Sequence, residues 1–224
     1  MSEFRDLILK HKGKRICVLG GGEIAEVPKA DIYISTNAHH VDKVTPDYVL
    51  AMDEVNSRVH VPMGEFIRAR TEAPIISPHR YADVLLANWP QCPRFVLSGM
   101  VATWAAFMMG AKVVILAGCD AYGGQDSGYM LEATKIARDV FCPVRVAGGG
   151  PLTKVWPEYD PGESFGRYKP HGSIEGWLGL DGEITVRVNK RCSLRNRERF
   201  PGDEVRLMRH EAAMELKHKM VSEV

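Results

Sequence analysis

No apolar run in the 224 residues approaches the ~18 needed to cross a bilayer. The first residues, MSEFRDLILKHKGKR, contain neither a long apolar stretch nor a small-residue cleavage site. The expectation is a cytoplasmic protein with no membrane span. Lys and Arg total 29 against 28 Asp and Glu, so net charge gives no reason to expect a nucleic-acid partner. The five cysteines form no CxxC pair, and Cys17, Cys119 and Cys142 lie in or beside apolar runs, a pattern suited to a reducing compartment rather than a disulfide framework. Neither GxGxxG nor GxxxxGK[ST] occurs, which removes the commonest dinucleotide and triphosphate loops. Internal repeats and low-complexity tracts are also missing.

What is present is a succession of short apolar strands. Arg15–Leu19, Asp31–Ser35, Tyr48–Met52, Ala73–Ser77, Arg94–Leu97, Lys112–Ala117 and Pro143–Ala147 read as strands without in–out alternation. Helical stretches over Met100–Met109 and Ser127–Val140 separate the later ones. This pattern predicts an α/β, Rossmann-like, mostly parallel sheet with helices on both faces. Ile184–Val188 predicts one antiparallel edge element near the carboxyl terminus. A short amphipathic helix is expected over 1–12, an irregular loop region over 148–182 and a carboxyl-terminal helix over 203–221. A single domain over 1–224 is the simplest organisation at this length.

Candidate functional residues cluster just after strands. In open α/β sheets ligands bind outside the carboxyl ends of the strands, where helix amino termini and unpaired amides attract anions. Gly20, Gly21 and Gly22 follow the first strand and would let a backbone approach a phosphate, or would simply make a tight turn. The crossover from Leu19 to Asp31 is too short for a full helix. Asn37 ends the second strand, where an amide can read a base or ribose through its donor and acceptor atoms. Asp53 ends the third. Ser98 and Gly99 open a helix rich in small residues; Ser98 is expected as its N-cap, beside an anion site. Asp120 follows the most apolar strand and can hold a metal, accept a proton or cap a helix. With Asp53 it could hold Mg²⁺ against a phosphate chain. His39 and His40 lack zinc-site partners at recognisable spacing. His171 lies in the irregular region as a candidate acid or base.

The glycine loop, Pro46–Asp53, Ser98–Gly99 with its helix, Ala117–Asp120 and Gly150–Leu152 together resemble the MptE-like family of 6-hydroxymethylpterin pyrophosphokinases. They also resemble the related bacterial lipooligosaccharide sialyltransferases, over roughly residues 15 to 159. The second resemblance implies that Asn37, Ser98 and Gly99 contact a nucleotide and that Tyr122 and Tyr129 bind the donor phosphate. It implies a nucleotide-dependent transferase, glycosyltransferase-like, with a nucleotide-sugar donor; Tyr122 from the resemblance, and Asp120 and His171 from their places in the chain, are the candidate catalytic residues. The alternative is a Mg-dependent pyrophosphokinase using a nucleoside triphosphate, with Asp53 and Asp120 as metal ligands. A non-catalytic nucleotide-binding protein on the same scaffold is the third reading.

Overall fold

A computed structural model describes residues 2–86, 97–119, 126–139, 142–165, 183–194, 197–208 and 221–223. The chain gathers into two compact units, Met1–Lys169 and Pro170–Val224.

The larger unit contains β1 (Ser2–Glu3), β2 (Arg15–Leu19), β3 (Ile32–Thr36), β4 (Tyr48–Leu50), a two-stranded ribbon of β5 (Val55–Asn56) and β6 (Val61–Pro62), and helix α1 (Met63–Arg68). It continues with β7 (Ile75–Ser77), β8 (Val84–Leu85), α2 (Ser98–Met108), β9 (Val113–Ala117), α3 (Asp126–Asp139) and β10 (Val144–Ala147). Eight of these strands form one sheet in the order β1-β8-β7-β4-β3-β2-β9-β10. Every pairing within it is parallel. The apolar strands are continuous because both faces are covered: every residue of β4, β7 and β9 is buried. Strand order reverses at β2, which pairs with β3 on one side and β9 on the other. In such sheets the reversal marks the place where loops leave in opposite directions and a crevice opens.

Helix α2 has no polar face. All residues from Gly99 to Met108 are buried, as expected for a helix enclosed between layers. It packs on β2, β3, β4 and β9 and against α3, while Trp104 stacks on Phe4 with centroids 5.4 Å apart. The helix expected over 1–12 shrinks to a 3₁₀ turn, Phe4–Leu7, preceded by β1. The competing interaction is visible in the next residues. Leu9, His11 and Gly13 donate backbone N–H groups to the carbonyls of Met108, Met109 and Gly110 at the end of α2. Those carbonyls have no partner inside their own helix, and the amino-terminal segment satisfies them by staying irregular.

The smaller unit contains β11 (Glu183–Val188), β12 (Cys192–Leu194), β13 (Arg197–Arg199), β14 (Glu204–Met208) and β15 (Val221–Glu223). β11 is central to an antiparallel sheet, β14-β11-β15, and β12 pairs with β13. The helix expected over 203–221 is therefore corrected over Glu204–Met208 and at Val221. The spacing of Val205 and Met208 fits a helical stripe, but Val205 also alternates with charged Glu204 and Arg206. Pairing decides between them: Val205 lies opposite Val186, both are buried, and Arg187 bridges Glu204 at 2.8 Å. Residues 209–220 and the 148–182 region from 166 onward lie outside the described residues. Its earlier part contains a 3₁₀ turn, Pro151–Lys154.

Candidate functional site

The glycines after β2 meet the glycine after β9. Gly20 N–H donates to Ala117 O (2.8 Å) and Gly22 N–H to Gly118 O (2.6 Å), so the two backbones run on in contact past the ends of their strands. Gly118 takes a φ of +62°, a conformation in which a side chain is strained. A Cβ at Gly20 would lie 2.2 Å from Gly118 O. Gly20 thus serves close backbone packing, the tight-turn alternative raised for this loop. A Cβ at Gly21 would instead meet His39 Nε2 at 2.9 Å.

Beyond β3 the chain turns sharply: Asn37, Ala38 and His40 have φ of 52°, 58° and 57°. Four bonds fix this turn against its neighbours. Thr36 Oγ1 donates to Leu19 O (3.0 Å), Ser35 Oγ to His39 O (2.7 Å), Asn37 N–H to Leu50 O (3.0 Å), and His40 Nε2 to Gly22 O (2.8 Å). Because a carbonyl only accepts, the last bond places the proton of His40 on Nε2. Burial, followed by the charges of His40 and Arg58, lowers the pKa of His39.

Asn37 and Asp53 come together as the sequence suggested. Asn37 Nδ2 donates to Asp53 Oδ2 at 3.4 Å. The other amide atom, Oδ1, is buried and has no hydrogen-bond partner. Exchanging the two atoms would turn an oxygen toward the carboxylate, so the amide orientation stands. Asp53 itself is exposed. Tyr81 donates its hydroxyl to Asp53 O, and burial together with the Asp53 and Glu54 charges raises its pKa, so the proton stays on it. His79 stacks on Tyr81 (centroids 5.7 Å) and donates Nε2–H to Met52 O at 2.9 Å. Neither residue stands out in the sequence: His79 directly follows Pro78 after β7, Tyr81 comes two residues later, and only the order β4-β7 brings them to Asp53.

Ser98 and Gly99 lie at the amino end of α2, on the same carboxyl edge, but not as predicted in detail. Leu97 is the N-cap and Ser98 the first helical residue, with no side-chain cap bond. A Cβ on Gly99 would lie 3.3 Å from Tyr129 Oη and 3.6 Å from Cys119 Sγ, so the tyrosine hydroxyl does reach this helix end. Glu132, one turn beyond Tyr129 on α3, accepts the Leu97 N–H at 3.3 Å. That carboxylate already complements the positive end of α2 and disfavours a second anion there. Asp120, Tyr122 and His171 lie outside the described residues. A cavity of about 480 Å³ opens elsewhere, bordered by the 23–29 segment and the ends of β9 and β10.

No helix among the described residues is long and apolar enough to cross a membrane. No protein-family model matches the chain, so the MptE-like resemblance rests on the residues quoted above alone. No curated protein matches it either. Among solved structures, the sialyltransferase CstII from Campylobacter jejuni, in complex with a substrate analogue, cytidine-5'-monophosphate, is similar to this chain at 13% identity and a TM-score of 0.45. The alignment covers 74% of this chain and 99% of that one, a likeness too slight to bear on function.

Proposed function

We propose that the carboxyl edge of the large sheet binds a nucleotide-type ligand and that the chain is a nucleotide-dependent transferase, with glycosyl transfer from a nucleotide-sugar donor as its reaction. The observation that carries this reading is Asn37, left-handed at the end of β3, with a buried Oδ1 that lacks a donor. Leaving such an acceptor unpaired costs about 1–3 kcal/mol, which a base amino group or a ribose hydroxyl would return on binding. The adjoining Asp53 carboxylate can accept from a second hydroxyl.

In the transfer, the bond between the anomeric carbon and the phosphate oxygen breaks and its electron pair leaves with the nucleotide. The acceptor oxygen bonds to that carbon and gives its proton to a base, for which His171 is the sequence candidate. The Tyr129 hydroxyl beside Gly99 can donate to the departing phosphate. Glu132 weighs against a phosphate seated directly on the α2 amides, and so the reading leans on Asn37.

Pyrophosphoryl transfer would require Asp53 to ligate Mg²⁺. Asp53 receives the Asn37 amide N–H on one oxygen and is exposed, while its proposed co-ligand Asp120 lies outside the described residues. A nucleotide-binding protein without catalysis remains the other class, separated by whether any shift-positive donor yields product.

The test is a thermal-shift screen of CMP, CMP-sugars, nucleoside triphosphates and NAD(H), with and without Mg²⁺, on the wild type and Asn37→Gly. Glycine retains the left-handed backbone and removes only the amide. At 100 times its Kd a ligand adds about 2.7 kcal/mol, a rise of about 5–10 °C in Tm for a chain of this size. The wild type should shift and Asn37→Gly should not. An unchanged shift in the variant, or a response to NAD(H) alone, overturns the proposal.

A further inference from the structure

The crossover from β2 to β3 contains no helix. An extended segment, residues 20–31, covers the sheet there. Ile24 packs with Cys17, Leu19, Val113, Ile115 and Ala117, the alternate residues of β2 and β9. Two side chains hold the segment in place. Lys43 Nζ donates to Ile24 O (2.6 Å), and Tyr33 Oη accepts from Ala30 N–H (3.0 Å) while donating to Pro28 O (3.1 Å). A strap so fixed is thinner than a helix, and beneath it lies the cavity of about 480 Å³. That volume is within the range of small-molecule sites.

Its lining has a direction. Ile24, Val27 and Pro28 of the strap and Ala117 and Ala147 form its apolar part, the two alanines ending β9 and β10 level with Leu19. Arg15 and Lys29 lie at the end where β2 begins, since Asp31 N–H donates to Arg15 O at 2.9 Å. Glu23 lies at the other end, next to Gly22, whose N–H bonds Gly118. Glu26 is nearer in the chain to Gly22 than to Asp31. β2 spans five residues, so the basic and acidic ends are roughly 13 Å apart at ~3.3 Å per residue. Asp31 does not neutralise Arg15 fully: its carboxylate is 4.0 Å from Nε, in a pair with side chains 38% and 36% exposed. Lys29 makes no ion pair among the described residues.

We infer that this cavity is a binding site for a small amphipathic anion, a ring or short chain bearing one carboxylate, phosphate or sulfonate. Its apolar body lies between the strap and the alanines of β9 and β10, and its anionic group meets Arg15 and Lys29. This site is separate from Asn37 and does not depend on the nucleotide reading.

The test uses the full chain and two fluorescent probes, 8-anilinonaphthalene-1-sulfonate and the uncharged N-phenyl-1-naphthylamine. The sulfonate should saturate one site. Ala147→Leu, which fills the apolar part, should weaken both probes at least tenfold. Val27→Phe fills the same space from the strap and replaces it should Ala147→Leu fail to fold. Arg15→Gln/Lys29→Gln should weaken the sulfonate several-fold and leave the neutral probe unchanged. Equal sulfonate affinity in a folded filling variant, or in the charge variant, overturns the inference. Nucleotide thermal shifts should persist in Ala147→Leu. If no nucleotide shifts the wild type while the probes behave as stated, only the transferase reading falls.

Discussion

Replacing Gly20 by alanine tests the contact that closes the middle of the sheet. The new methyl would lie 2.2 Å from Gly118 O, 2.6 Å from Gly118 C and 2.8 Å from Cys119 Cα, all backbone atoms. No side chain can turn aside, so the two chains must separate by about an ångström. That movement strains the Gly20–Ala117 and Gly22–Gly118 hydrogen bonds. Overpacking alone costs roughly 1–3 kcal/mol and each weakened bond about 0.5–1.5 kcal/mol. The expected loss is about 3 kcal/mol or more, a fall in Tm of at least ~6 °C. Gly128→Ala is the matched control. It lies in α3 with nothing within 4 Å of an added Cβ, so alanine should stabilise by up to about 1 kcal/mol. Differential scanning calorimetry of the three proteins reads both signs. A Gly20→Ala protein melting within ~1 °C of the wild type would refute the close approach of β2 and β9 beyond their ends.

Two further perturbations follow from buried groups. His39 has its pKa lowered by burial and by neighbouring cations, so the folded state favours the neutral ring. Its contribution is fully present above the unfolded value near 6.5 and declines as pH falls from there through the lower folded value; urea midpoints between pH 7.5 and 5 should fall less steeply in His39→Gln. Burial pushes the Cys142 thiol up to about 12, and Cys17 higher still. Both should resist iodoacetamide at pH 8 in the native protein and react after denaturation, as read by peptide mass spectrometry.

Much of the larger unit was legible because its strands are uninterrupted apolar runs. Arg15–Leu19 was located to the residue, and Val113–Ala117 to within one position. Asn37 and Asp53 were legible for a related reason: polar residues directly after such runs fall on one edge of a parallel sheet. What the sequence withheld was adjacency. Nothing local reveals that β2 lies beside β9, so the contact of Gly20 with Gly118 could not be foreseen, nor the approach of Tyr81 to Asp53 or of Glu132 to Leu97. The amino-terminal helix, and the carboxyl-terminal one over Glu204–Met208, failed because short stripes of apolar residues fit more than one geometry. The carbonyls at the end of α2 and the partner strand β11 decided the outcome. The missing helix after β2 was anticipated from length, though not the hollow it leaves.

The pairing of Arg15 with Val113 has a consequence for synthesis. A ribosome delivers β2 early and its neighbour on one side much later, so the nascent chain carries β2 with that edge uncovered until β9 emerges. Parallel pairings between distant segments form slowly, and an exposed apolar edge invites association with other chains. Truncation before residue 113 should therefore yield aggregate rather than a smaller soluble fragment, and slower translation up to that point should lengthen the vulnerable interval.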